Sequence, residues 1–241
     1  MFAPGMDIGQ AICRVLAQMG EPLREGDICV IAQKIVSKVE GRVVDPTTIR
    51  VGDEAQRIAG QTGREPSAVQ LILDESAELL RVRPAAIIAR HKTGHVLANA
   101  GIDASNVEGG ALLLWPKDPD ASARAIRADL TKRAGVPLAV VIADSMGRAW
   151  RIGTVGTAIG CAGLTVLEDR RGKGVDLFGR TLQATVIAVA DSVAAMAALA
   201  MGEGNEGTPV AVVRGAGRWV TTDDGPGAVS GLRPIEQDMF R

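Results

Sequence analysis

The chain has 241 residues, 46% of them hydrophobic, and a formal net charge of −1. A near-neutral surface serves neither nucleic acid nor an anionic membrane, and three Trp, three Phe and no Tyr leave no aromatic array for stacking bases. Cys13, Cys29 and Cys161 have neither paired nor metal-type spacing, which predicts reduced thiols filling the core of a cytoplasmic protein.

Met1–Gly20 has no basic start and no continuous apolar stretch, so no secretory leader is expected. Instead Ile8, Ile12, Val15, Leu16 and Met19 recur at helical spacing and Gly20 closes the run. Ile28–Ala32 and Ile35–Val36 read as a strand interrupted by the polar pair Gln33-Lys34. Arg50–Arg83 is mostly helical in pattern with a break near Gln61–Pro66, while Ala85–Ala89 and Gly110–Leu114 are short aliphatic runs of strand type. The clearest helix is Asp118–Ala134, with Asp118 as cap, Pro119 first, and Gly135 beyond the end. Leu138–Ala143 predicts a central strand, and the Gly-, Ala- and Thr-rich Val155–Leu167 predicts close backbone packing or a loop beside a ligand. Leu182–Ala190 and Val210–Val213 complete the strand candidates. The apolar window Ala184–Met201 is split by Asp191 and Ser192, so it reads as a strand feeding a helix, with one of them near the N-cap, and not as a membrane span.

Helices and strands do not alternate strictly, which favours an α+β fold with mixed sheets and flanking helices over a doubly wound parallel one. No linker or repeat divides the chain, so one domain over 1–241 is expected, with a small lobe around 45–85 left open.

Walker and dinucleotide glycine motifs, zinc spacing and a nucleophile elbow are all missing. His91 and His95 read as solvated histidines flanking a turn. Two segments stand out, AGIDASN at 100–106 and IADSMGRAWR at 142–151, each with an aspartate just past an apolar run. Such a carboxylate is costly unless something positive meets it. Asp103 and Asp144, with the Ser145 hydroxyl and Glu203, would supply the oxygen ligands of a hard metal ion, and Arg148 and Arg151 follow closely. Taken singly, Asp103 is equally an Asx-turn residue and Asp144 a helix cap. Gln33, Lys34, Ser37 and Lys38 could hold phosphates, or could be an ordinary solvated surface. The 201–208 loop (Met201, Gly202, Glu203, Gly204, Asn205, Glu206, Gly207, Thr208) would let backbone amides approach a nucleotide, or could simply end a helix.

These segments are collinear with a known set. IAQKIVSKVEGR (31–42), TGHVLANAGIDASN (93–106), LLLWPKDPDASA (112–123), VVIADSMGRAWRIG (140–153), AIGCAGL (158–164), VADSVAAMAALAMG (189–202) and PVAVVRG (209–215) resemble the coenzyme F420-0:L-glutamate ligases, in their stand-alone form. The resemblance implies an intertwined homodimer and a GTP-dependent ligase using two Mg²⁺ or Mn²⁺ ions, with a requirement for K⁺ left open. Its metal ligands would fall on Asp103, Asp144, Ser145 and Glu203, and its GTP contacts on Ser37, Lys38, Asn106 and the 201–208 loop. F420-0 and L-glutamate would be joined through an acyl phosphate, with Asp103, Asp144, Arg148 and Arg151 in the catalytic set. Family members usually begin with a strand and a G-L-P-like turn, whereas this sequence opens Met1-Phe2-Ala3-Pro4-Gly5, so either the start is late or GTP is held differently. A metal-dependent phosphohydrolase and a degenerate GTP-binding protein are the competing readings.

Overall fold

The computed structural model describes residues 2–84 and 86–238. Its centre is a four-stranded sheet of β1 (Ile28–Ala32), β7 (Ala139–Gly147), β8 (Thr154–Ala162) and β11 (Val210–Val213) in the order β11-β1-β7-β8. Only β1 and β7 run parallel; the other pairs are antiparallel. Alternation along β1 and β7 sends Ile28, Val30, Ala139 and Val141 to one face and Cys29, Ile31, Val140 and Ile142 to the other, all buried. The first face is covered by α6 (Val189–Met201), the second by α1 (Ile8–Gln18) and α5 (Pro119–Ala134).

The two outer helices start where the sequence says. Asp7 accepts from the Gln10 amide at 2.7 Å and Asp118 from the Ala121 amide at 2.9 Å, each satisfying an otherwise orphaned N–H. Gly135 ends α5 at φ 70°, a left-handed conformation that favours glycine. The small residues of β8 permit close packing on both faces. A Cβ at Gly156 would run into the Ala194 carbonyl of α6, and one at Gly160 into the Pro119 carbonyl of α5.

Residues between β1 and α5 build the smaller elements. They are α2 (Gln33–Val39), β2 (Val43–Val44), α3 (Asp53–Thr62), α4 (Pro66–Glu75), β3 (Ser76–Val82), β4 (Ile87–His91), β5 (Val96–Ala98) and β6 (Leu112–Leu113). β3, β4 and β5 form an antiparallel sheet, and Ile58, Val69, Ile72, Ile87 and Ala89 make a separate core between it and the helices α3 and α4. β2 pairs with β6, and β9 (Leu167–Asp169) with β10 (Val186–Ala188). The architecture is mixed α+β, with several small sheets and flanking helices. Among the described residues no helix is long and apolar enough to cross a membrane.

Several local expectations need correction. Ile35 and Val36 belong to helix α2, where both turn into the core. The helical reading of Arg50–Arg83 fails at Ser76, where β3 begins, because pairing with β4 outweighs local propensity. The Ala85–Ala89 strand is β4 from Ile87, and Ala85 lies outside the described residues. Leu182–Ala190 yields only the three-residue β10, and Asp191 sits in the first turn of α6 without capping it. β7 does not stop at Ala143 but continues through Asp144 and Ser145, which pair with Thr157 and Gly156. Asp144 is therefore a strand residue and not a cap.

Candidate active site

The carboxyl end of β1 lies beside the middle of β7, with Ala32 opposite Ala143. Beyond such an end the chain must turn away, which leaves a crevice for ligands. After β1 the chain enters α2, which carries Lys34 and Lys38; β7 carries Asp144 and Ser145 into the same space.

Asp103 arrives from the third side. Before it lie Asn99 (φ 53°), Ala100 (φ 51°) and Gly101 (φ 72°), three successive left-handed residues that turn the chain sharply after β5. Asp103 then bridges to Leu113 of β6 in both directions, its amide donating to the Leu113 carbonyl at 3.1 Å and its carbonyl accepting from the Leu113 amide at 2.8 Å. The Asx-turn is present, since the Ser105 amide donates to Asp103 Oδ1 at 2.7 Å. Turn and charge chemistry coexist, because Oδ2 takes the Ser105 hydroxyl at 2.8 Å and the Lys34 ammonium. Burial pushes the Asp103 carboxyl up, but Lys34 and Ser105 outweigh it and hold the group below the usual carboxylate range.

Asp144 is in the opposite state. Its backbone is paired within the sheet, and the indole N–H of Trp115 donates to its Oδ2 at 2.7 Å. Although the residue keeps some accessible surface, its carboxylate is enclosed by protein, and burial pushes it up to about 6. Trp115, the Ser145 backbone and Lys34 pull it down, while the negative Asp103 adds to the rise. Lys34 acts on both carboxylates and the negative Asp103 is felt at Asp144, so the two loops share one site.

The 201–208 loop closes the fourth side. Ser145 Oγ hydrogen-bonds the Glu203 carboxylate, and Asn106 Nδ2 donates to the Gly204 carbonyl at 3.3 Å. Lys38 Nζ donates to the Asn106 carbonyl at 2.5 Å. Within the loop, Glu206 accepts from the Gly204 amide at 2.8 Å, and Thr208 ties back to the Met201 carbonyl at 2.7 Å. Gly202 and Gly207 adopt φ 77° and 71°. Asn205 is exposed.

Not every candidate reaches this centre. Gln33 and Ser37 are buried and spent on structure, Gln33 Nε2 donating to the Ser37 hydroxyl at 2.6 Å and to the Leu114 carbonyl at 3.3 Å. Arg148 and Arg151 sit on the exposed turn between β7 and β8, and no hydrogen bond or ion pair among the described residues joins their side chains to Asp103 or Asp144. The continuation of β7 carries that turn away from the acidic pair. Among the described residues no three His, Cys, Asp or Glu side chains gather around one point as a closed metal cage. What does gather is an oxygen-only donor set with a desolvated carboxylate. That chemistry suits a hard divalent cation sharing its shell with a ligand's oxygens.

Four contributors are not assigned from the sequence: Ser105, Trp115, His91 and His95. Nothing in the sequence sets Ser105 apart from the turn it shares with Asp103, or gives Trp115 a role within its matching segment. His91 and His95 are not solvated but buried, 2% exposed each, against the Trp115 indole. Their spacing across the H-K-T-G-H turn was the available signal, since a hairpin puts such a pair on neighbouring strands.

Fold and site together define an α+β protein with two carboxylates in unequal states, two lysines and a glycine-rich loop gathered at one end of its central sheet. The F420-0:Gamma-glutamyl ligase family model matches residues 1–215. The chain is 46% identical over 241 residues to Coenzyme F420:L-glutamate ligase of Methanothermobacter thermautotrophicus, covering all of this chain and 95% of that one. It is also 46% identical over 220 residues to the enzyme of the same name from Methanocaldococcus jannaschii (91% and 86% covered), and 44% identical over 191 residues to that of Archaeoglobus fulgidus (79% and 76%). The chain belongs to the F420-0:gamma-glutamyl ligase family.

Proposed function

We propose that this chain is a GTP-dependent ligase that adds L-glutamate to coenzyme F420-0, and a further glutamate to the product. The observation that carries the reading is the convergence of Asp103, Asp144, Ser145 and Glu203 with Lys34 and Lys38 beyond β1 and β7, in a chain 46% identical to a Coenzyme F420:L-glutamate ligase.

A carboxylate and an amine do not condense in water, so the acid must be activated first. The terminal carboxylate of F420-0 attacks the γ-phosphorus of GTP; the new C–O–P bond forms as the bond to the β-γ bridging oxygen breaks, and GDP leaves. The glutamate amine then attacks the acyl carbon, expels phosphate and loses its proton, leaving an amide. Lys34 and Lys38 meet the phosphates as point charges, positioning them in line without reacting. The glycines of the 201–208 loop let backbone amides reach the nucleotide, and Asn106 fixes that loop through Gly204. Asp103, Asp144, Ser145 and Glu203 would hold two Mg²⁺ or Mn²⁺ ions, which would neutralise charge on the phosphates and on the incoming carboxylate.

A homodimer belongs to the same proposal. Large apolar side chains are left in solvent on three segments: Trp150 and Ile152 on the β7–β8 turn, Leu177 and Phe178 near 178, and Leu199 on the outer face of α6. Exposed apolar surface of this kind favours association.

The test is incubation with F420-0, glutamate, GTP and Mn²⁺, followed by mass spectrometry. A product heavier by one glutamate residue, with GDP and phosphate released in equal amount, is expected. Phosphate release that proceeds equally without glutamate and yields no heavier product would identify a phosphohydrolase instead.

A further inference from the structure

We infer that Trp115 is a positioning residue for Asp144: a fully buried indole, locked by a histidine pair, holds one carboxylate oxygen of the metal-binding aspartate in place. The inference rests on the metal site of the proposed ligase and assigns a role to three residues outside it.

Trp115 is fully buried. An indole N–H is a donor only, and once buried it needs an acceptor; here that acceptor is Asp144 Oδ2 at 2.7 Å. The ring itself cannot turn. His91 lies tilted against it with centroids 5.1 Å apart, and His95 meets it edge-on at 5.4 Å. The two imidazoles are held in turn by one hydroxyl, Thr93 Oγ1, which is 2.9 Å from Nδ1 of each. The turn that does this is closed by the His95 carbonyl, which accepts from the His91 amide at 2.8 Å.

The indole is also held from below and at its backbone. At Gly101, φ is 72° and a Cβ would run into the indole, so the left-handed turn that delivers Asp103 leaves room for Trp115. The Trp115 carbonyl accepts from Arg42 Nε at 2.8 Å, and Arg42 pairs with Glu75 at 2.5 Å. Burial brings the His95 imidazole down to about 4, so at neutral pH it packs as an uncharged ring and adds no cation to compete at the site.

Partners of this kind, one bond behind a metal ligand, fix its orientation, and their loss lowers metal affinity by about 10–100-fold. The experiment replaces Trp115 by 3-benzothienylalanine, which keeps the bicyclic shape and puts sulfur where the N–H was. Trp115→Phe and Asp144→Asn serve as companions. Free Mn²⁺ is titrated by electron paramagnetic resonance without nucleotide, and melting is followed alongside. The expected result for the benzothienyl protein is a roughly tenfold or greater loss of Mn²⁺ affinity with a cooperative melting transition retained. Wild-type affinity in that protein, while Asp144→Asn loses binding, overturns the role of Trp115 and leaves the ligase reading standing. Wild-type affinity in Asp144→Asn itself removes the metal site, and with it both proposals.

Discussion

Replacing Asp144 by Asn is expected to stabilise the metal-free protein at neutral pH while removing its activity. Burial raises the Asp144 carboxyl from 3.8 to about 6, so the folded state holds this proton more tightly than the unfolded chain does. The penalty for ionising it is absent below the unfolded value, grows as pH rises toward the folded one, and is constant above that. A shift of about two units at about 1.4 kcal/mol each amounts to roughly 3 kcal/mol. Asn removes the charge and still offers a carbonyl to the Trp115 N–H, but its own amide hydrogens need partners, which costs about 1 kcal/mol. A net gain of about 2 kcal/mol remains. Urea unfolding without metal at about pH 7.5 and about pH 4 measures it, with the gain expected only at the higher pH. Excess Mn²⁺ should reverse the order, because a ligand at about 100 times its Kd adds roughly 2.7 kcal/mol to the wild type alone. Equal or lower stability of the variant at both pH values would refute the desolvated carboxylate.

Asp27, 1% exposed, is gripped by Arg214 through two bonds of 2.9 and 3.0 Å, tying the start of β1 to the residue after β11. Burial alone would raise its carboxyl, but Arg214 and the Arg24 amide prevail and hold it below the usual range. Its contribution is therefore full above the ordinary aspartate value and lost as pH falls below it. Asp27→Asn should cost about 2–3 kcal/mol near neutrality, with the difference from wild type shrinking in acid unfolding titrations. Light scattering should report about twice the 25.1 kDa chain mass, and Leu177→Asp with Phe178→Asp should halve it; a single-chain mass for the unaltered protein would refute the dimer.

What sequence alone established depended on short-range physics. The cap at Asp118, the stop at Gly135 and the apolar run of β7 are each read from neighbours within a few residues, and each stands in the structure. The segment pattern likewise carried the family. What it misjudged was decided over long range. Ser76–Val82 has helical periodicity but becomes a strand because β4 offers it a partner. Asp144 looks like a cap until β8 pairs with it. The burial of Gln33 and Ser37 is likewise set by the packing of α2 against β6.

The difference is clearest at the histidines and at the acidic pair. Composition places two polar rings near a turn; only the fold closes Trp115 against them and so decides that they are buried. Residue identity makes Asp103 and Asp144 both carboxylates with the same intrinsic acidity. Tertiary structure alone gives one a lysine and buries the other, and so drives their proton affinities apart. Charge and donor type are properties of the chain, whereas desolvation and proximity exist only once distant segments have packed.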